Sequence, residues 1–101
     1  MAPFRLAEEA ILDIDAIWLY LLDREGLETA DRIVKELFRS FYMLAEIPRS
    51  GHKRPDLTDE NVLFYTRFAY LIVYEPELKP LQIHGVLHGK RNVVHILAEL
   101  L

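Results

Sequence analysis

Between residues 47 and 61 the hydrophobic period of this chain changes, and that change limits its fold more than any other feature. Before it, "LETADRIVKELFRSFYMLAEI" (27–47) carries one apolar stripe at helical spacing: Ala30, Ile33, Val34, Leu37, Phe38, Phe41, Leu44 and Ala45. After it, "NVLFYTRF" (61–68) and "AYLIVYE" (69–75) are rich in β-branched and aromatic residues, as strands are. Pro48 stops the helix, and "PRSGHKRPDLTDE" (48–60) reads as a loop.

A second helix precedes the first. In "EEAILDIDAIWLYLLD" (8–23), Ala10, Ile11, Ile14, Ile17, Trp18, Leu21 and Leu22 project to one face. Glu8, Glu9, Asp13, Asp15 and Asp23 lie opposite and read as a solvated face, the two glutamates suiting a helix N-terminus. "REG" (24–26) breaks the pattern, and a link of three or four residues between two amphipathic helices predicts an antiparallel hairpin. "PFRLA" (3–7) reads as an edge strand and "PELKP" (76–80) as a turn. "LQIHGVLH" (81–88) alternates, with Leu81, Ile83 and Leu87 on one face and Gln82, His84, Val86 and His88 on the other. "NVVHILAELL" (92–101) reads as a short final helix or a frayed strand extension.

The order β-α-α-β-β-β-α predicts an α+β domain. The helical hairpin should pack on one face of a three- to four-stranded, mostly antiparallel sheet, with the other face solvated or covered by a partner. A chain of 101 residues suits a single domain over 1–101.

Composition narrows the function. The absence of cysteine excludes disulfides and thiolate metal sites. No apolar run is longer than the seven residues of Phe68–Tyr74, too short to cross a bilayer as a helix, and no cationic leader precedes an apolar signal segment, so a cytoplasmic protein is expected. A net charge of −4 argues against general nucleic-acid binding, and no sequence-specific DNA contact by this chain alone is expected. The charge is uneven, however. Residues 1–47 hold 5 cations and 10 anions, whereas residues 78–95 hold Lys79, Lys90, Arg91 and three histidines with no acid.

"LHGKRNVVHIL" (87–97) gathers His88, Lys90, Arg91 and His95 just after an apolar run. Arg54, Arg67, His88, Lys90 and Arg91 are therefore candidates for a surface that grips another macromolecule, Arg67 and Arg91 approaching each other if their strands are neighbours. Each arginine also has a plainer reading, a solvated charge or an ion pair with Asp56, Asp59 or Glu75. RNA cleavage is the catalytic alternative. It needs a base for the 2′-hydroxyl, cations for the phosphate and an acid for the leaving oxygen, and His84, His88, Arg67 and Arg91 are of the right types. A zinc site from His84 and His88 is not expected, because four residues span about 13 Å on a strand. No cofactor is implied. Leu19 and Tyr20 in the first helix, and Tyr42 and Met43 in the second, fall outside the apolar stripes and suggest a docking surface.

Four stretches, in order, resemble the RelE/ParE toxin superfamily, and its ParE branch most. They are "AEEAILDIDAIWLYLL", "ADRIVKELFRSFYMLAEIPRSGHKR", "YLIVYEP" and "IHGVLHGKRNVVHIL". The resemblance covers nearly the whole chain and implies the toxin of a type II toxin–antitoxin pair. It implies as partners a cognate antitoxin, ParD-like or otherwise of ribbon–helix–helix type, held in a hetero-oligomer, and DNA gyrase as target. RelE-type relatives instead cleave mRNA on the ribosome, and a third class is a non-toxic member that represses an operon with its antitoxin. Toxins of this family tend to be basic, whereas this first half is acidic. The antitoxin tail is then expected to be richer in basic residues than usual, or to bind by apolar anchors.

Overall fold

A computed structural model of the chain describes residues 2–101. The elements are β1 (Phe4–Leu6), α1 (Glu8–Glu25), α2 (Leu27–Glu46), a 3₁₀ turn (Pro48–Ser50), β2 (Leu63–Arg67), β3 (Tyr70–Glu75), β4 (Leu81–His88) and α3 (Val93–Leu100). Strand order is β1-β4-β3-β2, with β1 parallel to β4 and the other pairs antiparallel. The expected α+β architecture is present, with the final segment helical. Asn92 caps α3, its side chain accepting from His95 N at 3.3 Å.

The helical hairpin is tighter than expected. α1 runs on to Glu25, and Gly26 alone links it to α2, at a φ of 95° that favours glycine. Trp18 Nε1 donates to Asp31 Oδ1 at 2.9 Å across the two helices. The α2 stripe is buried as its period requires, with Ala30, Leu37, Phe41 and Leu44 fully enclosed. In α1 the stripe is narrower, since Ala10, Ile14 and Ile17 are buried but Ile11 is 46% exposed.

Apolar groups fill both sides of the sheet. The hairpin covers Phe4, Leu63, Tyr70, Ile72, Tyr74, Leu81, Ile83 and Val86. On the other face α3 brings Val93 and Leu97 onto Val62, Phe64, Leu71, Val73 and Leu87. That face is therefore covered by the chain's own last helix, rather than left to solvent or a partner. Each fully buried large side chain here contributes about 1.5–3 kcal/mol.

One irregularity in β4 decides what faces what. Tyr70 pairs with His88, Ile72 with Val86 and Val73 with Gly85, but Tyr74 pairs with Ile83. His84 is thus an extra residue, a β-bulge, and the alternation inverts across it. Leu81 and Ile83 face the helical hairpin; beyond the bulge Val86 faces it too, while Leu87 faces α3. The uniform alternation expected for residues 81–88 is corrected by that single inserted residue.

Candidate functional site

The bulge carries His88 to the hairpin side, where its ring meets Tyr70 edge-on at 5.6 Å between centroids. Arg67 pairs with Tyr70 and Tyr70 with His88, so these three residues form one row across β2, β3 and β4. At this end of the sheet two turns lie side by side. Phe68 and Ala69 connect β2 to β3, and Gly89 to Asn92 connect β4 to α3. They are joined by a hydrogen bond from Gly89 N to Ala69 O of 2.9 Å. The second turn is closed by Arg91 N donating to His88 O at 3.0 Å, and Lys90 N donates to His88 Nδ1 at 3.1 Å.

Arg67, His88, Lys90 and Arg91 thus share one end of the molecule. Arg67 and Arg91 are not on neighbouring strands, because β3 lies between β2 and β4. Arg67 donates to Glu36 Oε2 at 3.3 Å, so its partner is on α2 rather than Asp56, Asp59 or Glu75. Its guanidinium also stacks 4.0 Å from the centre of the Phe68 ring. Among the described residues, neither Lys90 nor Arg91 has a carboxylate within ion-pair distance.

Arg54 is not part of this corner. It lies in the loop beyond the outer edge of β2, which His52 prolongs by bridging Phe64. Its guanidinium forks onto Asp56 at 2.9 and 2.8 Å, the ion pair that the plainer reading anticipated. That hydrogen bonding holds the Asp56 carboxyl below its usual range.

Between α1 and the tip of β4 an open cleft of about 390 Å³ is lined by Asp13, Tyr20, Tyr70, Val86, His88 and Arg91 among others. Asp13 was expected on a solvated face, yet it is half-buried and its Oδ2 accepts from Val86 N at 2.9 Å. The cause is the length of β1. That strand pairs with β4 only as far as Ile83, the last bond being Ala7 N to Ile83 O at 2.9 Å. Beyond it the next edge amide of β4 is left without a strand, and a carboxylate from α1 satisfies it. Burial pushes the Asp13 carboxyl above its usual range, against the opposing pull of the Val86 amide and the Arg91 charge. Burial likewise raises the Tyr70 phenol, keeping it a neutral hydroxyl in the cleft wall.

The residues named for RNA cleavage are not assembled. His84 sits on the α3 face, where Nε2 lies 2.6 Å from Glu75 Oε1, while His88 lies on the opposite face. Of the docking residues, Leu19 (59%), Tyr20 (54%) and Tyr42 (51%) are exposed, but Met43 is half-buried against the core. Tyr20 borders the cleft, with the Arg24 guanidinium over its ring at 5.0 Å. Tyr42 instead packs on Phe4 at 4.9 Å, near the far end of the antiparallel hairpin, so the four do not form one patch. Sequence reading missed Leu12, 56% exposed and seven residues from Leu19 on the same outward line of α1. A leucine pair i, i+7 on an acidic face was the available signal.

The family described as "ParE toxin of type II toxin-antitoxin system, parDE" matches residues 4–93. This chain belongs to the ParE toxin family. It is 34% identical over 96 residues to Toxin ParE1 of Caulobacter vibrioides, an alignment covering 91% of this chain and 94% of that one. The chromosomal ParDE system from P. aeruginosa contains a chain of the same fold, with a TM-score of 0.72 and 22% identity. That match covers 84% of this chain and 92% of the other. The chain is thus a ParE-type toxin of a type II toxin–antitoxin system, and an antitoxin is its implied partner. Among the described residues no helix is long and apolar enough to cross a membrane.

Proposed function

We propose that this ParE toxin inhibits DNA gyrase by binding it stoichiometrically and favouring a complex with cleaved DNA, and that a ribbon–helix–helix antitoxin neutralises it. The observation that carries the reading is the corner itself. His88, Lys90 and Arg91 project from one tight turn beside an open cleft, and the two cations have no intramolecular ion pair among the described residues. Cations not engaged in a direct ion pair, Arg91 feeling Asp13 only across the cleft, suit a surface that meets a partner's negative charge. Arg91 is the residue expected to matter most. Arg67, held by Glu36, contributes at the margin, and Arg54, neutralised by Asp56, is left out.

A cutting mechanism has less support, because the bulge separates His84 from His88. The antitoxin tail is expected along α1, where Leu12, Leu19 and Tyr20 supply apolar anchors on an acidic face. Two assays test the target. Purified toxin should block supercoiling by gyrase in proportion to its concentration, and mRNA on translating ribosomes should stay intact. Unimpaired supercoiling at excess toxin, or cuts in the decoding site, would transfer the function to another target. A toxin whose expression leaves growth normal would instead be the non-toxic corepressor.

A further inference from the structure

The turn from β2 to β3 contains only Phe68 and Ala69, and its first residue has a φ of 57°. Two-residue hairpin turns ask for glycine, asparagine or aspartate at such a position, because a β-carbon crowds the backbone there. A phenylalanine is among the least suited residues. It is not held there by burial, since Phe68 is 39% exposed, and it belongs to neither core cluster. Strain of this kind persists where the surrounding structure enforces it, and it concentrates at functional sites. Here the enforcing contacts are visible. Arg67 stacks on the ring at 4.0 Å while bonded to Glu36, and Gly89 N ties Ala69 O to the cationic turn.

We infer that Phe68 is an aromatic anchor that enters an apolar pocket with an acidic rim on the toxin's protein target. The inference rests on the reading that this corner meets the target. Phenylalanine, the other aromatics and arginine are among the residues enriched in the buried centres of protein interfaces. Arg67 stacks on the ring and the adjoining turn carries Lys90 and Arg91, so a pocket rim with carboxylates complements this end of the molecule. The ring is presented rigidly, because the turn is closed on both sides by strands and tied to its neighbour turn. Little freedom is therefore lost when it docks. DNA is the other conceivable occupant, a base step opened by the ring. The net charge of −4 argues for protein.

The test is Phe68→Gly, which removes the ring and relieves the backbone. The thermal midpoint should equal or exceed that of the wild type and antitoxin co-purification should be unchanged, while growth arrest is lost. Affinity for gyrase without DNA should fall at least about tenfold. Phe68→Tyr should keep arrest. Undiminished arrest by Phe68→Gly would overturn the inference. So would its failure to fold, which would make the ring a structural part. Equal affinity for DNA-free gyrase, with a loss confined to the DNA-bound complex, would assign the pocket to DNA and overturn the protein partner. If wild-type toxin leaves supercoiling untouched while Phe68→Gly still loses arrest, the anchor stands and the gyrase reading falls.

Discussion

Tyr74→Phe removes a single oxygen from the centre of the molecule. Tyr74 is fully buried, and its hydroxyl donates to Pro48 O at 2.6 Å and accepts from Gly51 N at 2.9 Å. The hydroxyl thereby clamps the end of the helical hairpin to the start of the long loop. Space there is limiting, since a β-carbon on Gly51 would lie 2.5 Å from the same oxygen. Without the hydroxyl, the Gly51 amide loses its acceptor in a buried setting, which costs about 1–3 kcal/mol. The Pro48 carbonyl is half-buried, and loss of its donor adds up to about 1 kcal/mol. The sum is about 1–4 kcal/mol, or a fall in thermal midpoint of about 5 °C or more for a domain of this size. Urea unfolding should show a lower midpoint with an unchanged slope. The corner proposed to meet the target lies at the other end of β3, so inhibition per folded molecule should not change. A loss below about 0.5 kcal/mol would refute the clamp, because buried partners cannot be orphaned so cheaply.

Three further outcomes are expected. Asp13→Asn keeps an acceptor for Val86 N but removes a carboxylate whose folded pKa lies above 3.8. A raised carboxyl pKa makes the wild type lose stability as pH rises through the window just above 3.8, so the variant should gain on it over that window. Parallel stability curves across it would contradict this. His84→Ala removes a half-exposed contact to Glu75 on the face opposite the corner; growth arrest should persist and stability change by no more than about 1 kcal/mol. Leu19→Glu places a charge at an exposed site, so folding should be unaffected while antitoxin affinity drops about tenfold or more in a binding titration. Unaltered affinity would remove α1 from that interface.

The helical hairpin and the run of strands were legible because their signals are long and periodic. The α2 stripe runs from Ala30 to Ala45 in a helix of 20 residues, and every one of its positions is buried or half-buried. Local exceptions were harder to see. The turn at Phe68 and Ala69 contains no turn-forming residue, so the division of 61–75 into two strands had no turn signal to mark it. The bulge at His84 has one sequence trace, Gly85 within a strand. There a β-carbon would come within 3.1 Å of Leu100 and 3.2 Å of Asp13, so α3 and α1 both close on that point. Asp13 looked solvated because a helical projection knows only its own helix, whereas its partner is the amide left over where β1 ends. The site was therefore half legible. Its cations at 88–91 come from one contiguous stretch, but Phe68, Tyr70 and Asp13 join them only through sheet order and register.

The most direct measurement is a titration of gyrase supercoiling with wild-type toxin and Arg91→Ala, each first checked for thermal midpoint and antitoxin binding. Wild type should inhibit at near-equimolar toxin, and the variant, equally folded, should need at least about ten times more. Equal inhibition by both would contradict a target-facing role for the β4–α3 turn.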